Sequence, residues 1–85
     1  MSTMLKLINI IKTGTTIEAD YIPEQSNQKA HVVFDTTLAD GSGGIIEPYG
    51  RRHLSMALSG LEKIAAEIKS GKISEPPHER LVMWY

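Results

Sequence analysis

The residues best able to do chemistry in this chain are a glycine-rich stretch, Gly41-Ser42-Gly43-Gly44, and the run Arg51-Arg52-His53 that follows it. Backbone N–H groups in a glycine loop and at a helix start can cradle an anion, and guanidinium groups grip one through paired hydrogen bonds. Two cations at a helix N-terminus oppose the macrodipole unless something negative joins them. Gly43, Gly44, Arg51, Arg52 and His53 therefore form a candidate anion site for a phosphate, a carboxylate or a nucleic-acid backbone. The same residues also have a plainer use, with the arginines solvated or paired with acids such as Glu47 and the glycines a connector. Neither the Gly-x-x-x-x-Gly-Lys-Ser/Thr loop nor the Gly-x-Gly-x-x-Gly fingerprint occurs.

Other constellations are sparser. His31, His53 and His78 are far apart, and none has a second ligand at helical or hairpin spacing, so no metal is expected. His31, beside Lys29 and Val33 on a strand face, reads as a solvated surface histidine. Glu18 and Asp20 fall on one strand face and could meet Asp35. Paired carboxylates do acid–base work when one is held protonated, but on a wet sheet face they more commonly serve solubility. No Ser-His-Asp arrangement can be read, and one helix on one sheet gives no reason to expect a deep pocket. No catalytic residue, no cofactor and no enzymatic activity are expected.

Composition bounds the remaining classes. The chain has 85 residues and a formal net charge of −1, enough for one domain with one modest core. Cysteine is absent, which removes disulfides, thiolate metal sites and a thiol nucleophile together. Lys6 and Asn9 interrupt the apolar start between Met1 and Lys12, and no small-residue cleavage site follows, so it fails as a signal peptide. No apolar run approaches the ~20 residues that cross a membrane. The expectation is a cytoplasmic protein with no membrane partner. Charge is uneven: Thr13–Pro48 carries six acids against Lys29 alone, while Gly50–Lys72 carries five bases against Glu62 and Glu67. Such a dipolar surface suits solubility or self-association better than nucleic-acid binding, which usually needs a net basic domain.

The elements follow from a switch of hydrophobic period. A first strand, about Met4 to Lys12, is apolar on both faces, with Leu5, Leu7 and Ile11 one way and Ile8 and Ile10 the other. Ile17 to Ile22 and Lys29 to Thr36 alternate as two further strands of an antiparallel meander, with Pro23 ending the second. The glycine stretch after Asp40 reads as a flexible loop. From Leu54 to Ile68 apolar residues recur at helical spacing, giving a helix from Pro48 or Gly50 to Ser70 with Gly71 as its C′ residue. Gly60 in its middle costs ~1 kcal/mol against alanine, which close packing of that turn on the sheet would explain. Leu81-Val82-Met83-Trp84-Tyr85 makes a last strand.

These elements predict a single α+β domain, 1–85, of β-β-β-α-β order, with a mostly antiparallel four-stranded sheet and one helix on one face. The last strand is expected beside the first, in spatial order 4-1-2-3, because the first strand's two-faced apolarity asks for a central place. It is expected to run parallel to strands one and three. Ile8, Ile10, Val82 and Trp84 are then left partly bare on the uncovered face and form a candidate interface. The functional expectation is a non-enzymatic protein-interaction or regulatory domain that associates with itself or another protein. Its alternative is a module binding anions or nucleic acid through the glycine loop and Arg51/Arg52.

Overall fold

The computed structural model describes residues 3–24 and 26–84. Five strands and one helix follow in the order β1 (Thr3–Thr13), β2 (Thr16–Pro23), β3 (Ala30–Asp35), β4 (Asp40–Gly43), α1 (Gly50–Lys69) and β5 (Glu79–Trp84). The strands form one antiparallel sheet in the order β4-β3-β2-β1-β5, with α1 packed against one face. This is the expected α+β class, and β5 does lie beside a central β1.

Two sequence expectations are corrected. The glycine stretch is a fifth strand rather than a loop: Gly41 lies opposite Phe34 and Gly43 opposite Val32. That strand adds one reversal of chain direction before the helix, so β5 returns antiparallel to β1, with Met83 opposite Met4 and Val82 opposite Leu5. The second correction concerns faces. The β1–β2 register shifts between Ile8 and Ile11, and Asn9 sits there with φ 54. A bulge advances the strand by one residue and so exchanges its faces. Ile10 consequently joins Leu5 and Leu7 in the core, whereas Ile11 turns outward and is 53% exposed. Asparagine tolerates the left-handed region better than its isoleucine neighbours would.

The core lies between the sheet and the apolar stripe of α1, where Leu54, Ala57, Leu61 and Ile64 meet Leu7, Ile17, Ala19 and Val32. Among the described residues no polar or charged residue is buried. Glycines set how closely the helix approaches. A Cβ on Gly43 would fall 2.5 Å from Val32 Cγ1 and 2.7 Å from the His31 carbonyl oxygen, and one on Gly41 would fall 2.6 Å from Leu58 Cδ2. At the opposite side the small residue is in the helix: a Cβ on Gly60 would meet Val82 Cγ2 at 2.7 Å and Leu7 Cδ1 at 2.9 Å. The buried Tyr21 donates its hydroxyl to the Gly44 carbonyl at 2.7 Å, tying β2 to the end of β4. Burial raises the pKa of that phenol.

The helix ends as its sequence predicts. Gly71 has φ 83, its N–H donates to the Ile68 carbonyl, and the Lys72 N–H donates to that of Glu67. This pair of bonds is a Schellman cap. Beyond it, Glu67 accepts two hydrogen bonds from the Arg80 guanidinium, at 2.9 and 3.3 Å, which fastens the start of β5 to the last turns of α1.

Candidate functional site

One helix covers one sheet face, so the other face and the two sheet edges remain available. Alternation along each strand fixes what the open face carries. Near β5 it presents Met4, Ile8, Ile22, Leu81 and Met83 around Lys6, with Lys6 opposite both Ile22 and Leu81. Leu81 is 57% exposed and Met83 45%, while Met4, Ile8 and Ile22 are half-buried. An open concavity of about 250 Å³ runs from Met4 and Lys6 past Ile22 and Pro23 to Leu81.

Toward β3 the same face turns polar. His31 lies opposite Asp20, with its Nδ1 2.9 Å from Asp20 Oδ1 and its Nε2 3.0 Å from Glu18 Oε2. Ionised carboxylates only accept, so bonding on both sides requires protons on both ring nitrogens, that is, an imidazolium. The hydrogen bonds to Asp20 and then Glu18 raise the His31 pKa, and the bond from His31 is the main cause lowering that of Asp20. The bulge residue Asn9 adds a donor to Asp20 Oδ2 at 3.2 Å, and Lys29 Nζ stands 3.8 Å from the same oxygen. Glu18 and Asp20 thus share a face as their spacing predicts, but their partner is His31 rather than Asp35. Alternation of 18 and 20 on one strand and 31 on the next carried that signal, once the register was known.

The candidate interface residues divide. Ile8 lies on the open face. Ile10 is in the core through the bulge, and Val82 packs toward α1 against Gly60, so neither stands on the open face. Leu81 and Met83 occupy the outward positions instead. The Trp84 side chain lies outside the described residues.

The candidate anion residues do not converge as expected. Gly43 lies in the β3–β4 ladder, and just beyond the strand the Gly44 N–H donates to the His31 carbonyl at 3.0 Å, so the two glycines continue the edge of the sheet rather than form a nest. The N–H groups of Tyr49 and Gly50 both donate to the Ile46 carbonyl. Arg51 and Arg52 are exposed on the first turn and make no salt bridge among the described residues. His53 is half-buried, its ring edge-on to Tyr49 with centroids 4.9 Å apart, and its Nδ1 has no hydrogen-bond partner.

A further concavity, about 600 Å³, opens between the C-terminal half of α1 and the strand turns, lined by Phe34, Thr36, Ala65 and Ile68 with Lys12 and Lys69. Lys12 is tied to the Gly14 carbonyl at 2.7 Å and Thr36 to that of Thr15 at 2.7 Å. These two side chains are thus engaged with backbone. Among the described residues no helix is long and apolar enough to cross a membrane, and no group of three metal-ligating side chains gathers. Comparison with protein-family models, with curated proteins and with solved structures finds no match to this chain, so function rests on these residues alone.

Proposed function

We propose that this chain is a small, non-enzymatic protein-interaction domain that self-associates through the β5 edge and the apolar corner of the open sheet face. The observation that carries this reading is the exposure of Leu81 and Met83 on an outer strand, beside Met4, Ile8 and Ile22. An outer strand offers unpaired N–H and C=O groups, and a long apolar one is a template for another strand. Apolar side chains on the same strand add the burial that main-chain bonds alone lack. A cytoplasmic setting, with a regulatory role exerted through association, is part of the proposal. Sedimentation velocity from low to high micromolar protein tests it. A concentration-dependent shift from monomer to dimer is expected, and a monomer throughout removes self-association.

A second reading, binding of an anion or a nucleic-acid backbone, keeps one favourable observation: Arg51 and Arg52 stand free on the first helical turn beside the unpartnered His53 Nδ1. It no longer draws on the glycine N–H groups. Titration with phosphate and with mixed short oligonucleotides at two salt concentrations tests it by amide shifts. Salt-sensitive, saturable shifts at residues 50–53 that vanish in Arg51→Ala/Arg52→Ala would establish it.

A further inference from the structure

The occupant of the β5 edge and its register follow from backbone geometry. The Glu24 N–H donates to the Met4 carbonyl at 3.0 Å, so the main-chain groups of Met4 point toward β2. Groups alternate in direction along an antiparallel strand, so those of Leu5 point toward β5. Pro23, which has no N–H, lies opposite Leu5, as that alternation requires. Met83 faces Met4 across β1–β5; because Met4 bonds the other way, this is a non-hydrogen-bonded pair. The N–H and C=O of Met83, and by the same alternation those of Leu81 and Glu79, therefore point out of the sheet. The residues with exposed apolar side chains are the ones with free main-chain groups.

We infer that the partner at this edge is the β5 strand of a second copy, antiparallel and related by a two-fold axis through the Val82 pair, which joins two sheets into one of ten strands. The inference rests on the self-association reading above. Charge selects the register. Residues directly opposite share a face, so a symmetric alignment centres on one residue. Of the six strand residues, centring on Leu81 or Val82 pairs five and centring on Arg80 or Met83 pairs three. Centring on Arg80 sets Arg80 against Arg80 of the second copy. Centring on Leu81 sets each Glu79 carboxylate against Met83 of the second copy. Centring on Val82 instead pairs Leu81 with Met83 of the second copy on the open face, twice, and sets the outward N–H and C=O groups of both residues in bonding positions.

That alignment also continues the apolar corner across the seam. The row Ile22, Lys6, Leu81 runs on into Met83 and then Met4 of the second copy. On the helix side the groove of about 220 Å³ between β5 and α1, lined by Ser59, Gly60 and Lys63, borders the central Val82 pair and leaves room there for Val82 of the second copy. Such an interface is isologous and closed, so it stops at a dimer.

Because the chain has no cysteine, one substitution reads the register. Opposed residues of a non-hydrogen-bonded pair have Cβ atoms about 4.5–5.5 Å apart, near the ~3.5–4.5 Å a disulfide spans. Under mild oxidation Val82→Cys is expected to form a disulfide dimer at least ~10-fold faster than Leu81→Cys, whose counterpart is displaced by two residues along the strand. In the wild type, concentrating the protein is expected to slow hydrogen exchange of the Leu81 and Met83 amides by ~10-fold or more, with little change at Val82, already bonded to β1. A dimer by sedimentation with faster crosslinking of Leu81→Cys, or with no concentration-dependent protection at Leu81 and Met83, overturns this alignment and leaves self-association standing. A monomer by sedimentation overturns both.

Discussion

The two outer strands of this sheet hold equivalent positions and are built in opposite ways. At one side β4 is four residues long, with glycines toward the helix and Asp40 and Ser42 toward the open face. The Asp40 carboxylate accepts from the Gly41 N–H, and Asp35 caps the preceding turn by accepting from Thr37 and Leu38. At the other side β5 spans six residues without glycine or proline and leaves Leu81 and Met83 uncovered. Short length and charge are devices that keep an edge from recruiting another strand, and β4 has both. The charges of β5, Glu79 and Arg80, are confined to its first two positions, and Arg80 is held back by Glu67. One edge is closed by composition; the other is left for a partner.

The helix approaches both edges through glycine, and the difference in where that glycine lies gives the largest expected effect. On β4 a new Cβ at Gly43 meets a backbone oxygen, that of His31, at 2.7 Å, besides the stiff Val32 side chain. Backbone in a ladder cannot move aside cheaply, so Gly43→Ala should lose about 2–3 kcal/mol, the upper range for overpacking. Urea denaturation would show this as a lower midpoint at unchanged slope. A loss under ~0.5 kcal/mol would mean that the helix does not close on β4 as described. At Gly60 the obstructing atoms are side-chain ones alone, the Cγ2 of Val82, as stiff as Val32, and the more flexible Cδ1 of Leu7, with no backbone atom among them. There ~1 kcal/mol of helix propensity is regained against a similar packing cost, so Gly60→Ala should change stability by about 1 kcal/mol or less. If Gly60→Ala proves the more damaging of the two, the contrast between the edges is reversed.

Replacing the exposed β5 side chains separates folding from association. Leu81→Lys with Met83→Lys should leave the unfolding midpoint within ~0.5 kcal/mol, as for surface changes generally. Two like-charged pairs would then face each other across the seam, and the dimer dissociation constant should rise ~10- to 100-fold, about 1.4–2.8 kcal/mol. Ser42→Lys on β4 is the matched control and should leave association unchanged. Weakening by the β4 change, measured by sedimentation, would place the contact at the wrong edge.

Sequence reading carried the fold class, the helix with its Gly71 stop and the central place of β1, because each depends on local periodicity or on one residue's backbone freedom. It failed where a residue type has two uses. Gly41 and Gly43 suit a flexible loop as well as a strand under a closely packed helix, and only the positions of Leu54 and Leu58 above them decide between the two. That one misreading changed the count of reversals and with it the direction of β5. Asn9 alone gave no sign that β1 is bulged, yet the bulge moved Ile10 into the core and Ile11 out of it. The polar cluster was hidden for a different reason. Glu18, Asp20 and His31 were each visible, but their meeting depends on the β2–β3 register, which a six-residue connection of polar side chains does not announce.

The smallest effect concerns this cluster, which lies between the two edges and belongs to the β4 side. His31 is 55% exposed, so solvent screens its ion pairs and their stabilisation is slight. Its sign is nevertheless fixed. The folded protein raises the His31 pKa above the ordinary 6.5, through Asp20 first and Glu18 next. Stabilisation from a raised pKa is complete below the unfolded value and is lost as pH rises through the folded one. Asp20 works oppositely: its pKa is lowered from 3.8, chiefly by the bond from His31, so its part is present above that value and is lost as pH falls through the folded pKa. The bridge between β2 and β3 should therefore be strongest in the mildly acidic range between the two. Ring NMR titration should place the His31 midpoint above 6.5, and His31→Asn should remove the decline in thermal midpoint on the alkaline side of that titration. Amide exchange on β3 and β4 should quicken in this variant while β5 stays unchanged, since β2 and β1 stand between. A His31 midpoint at or below 6.5 would mean that the two carboxylates do not hold the ring, and equal quickening on β5 would mean that the two sides of the sheet do not behave as separate regions.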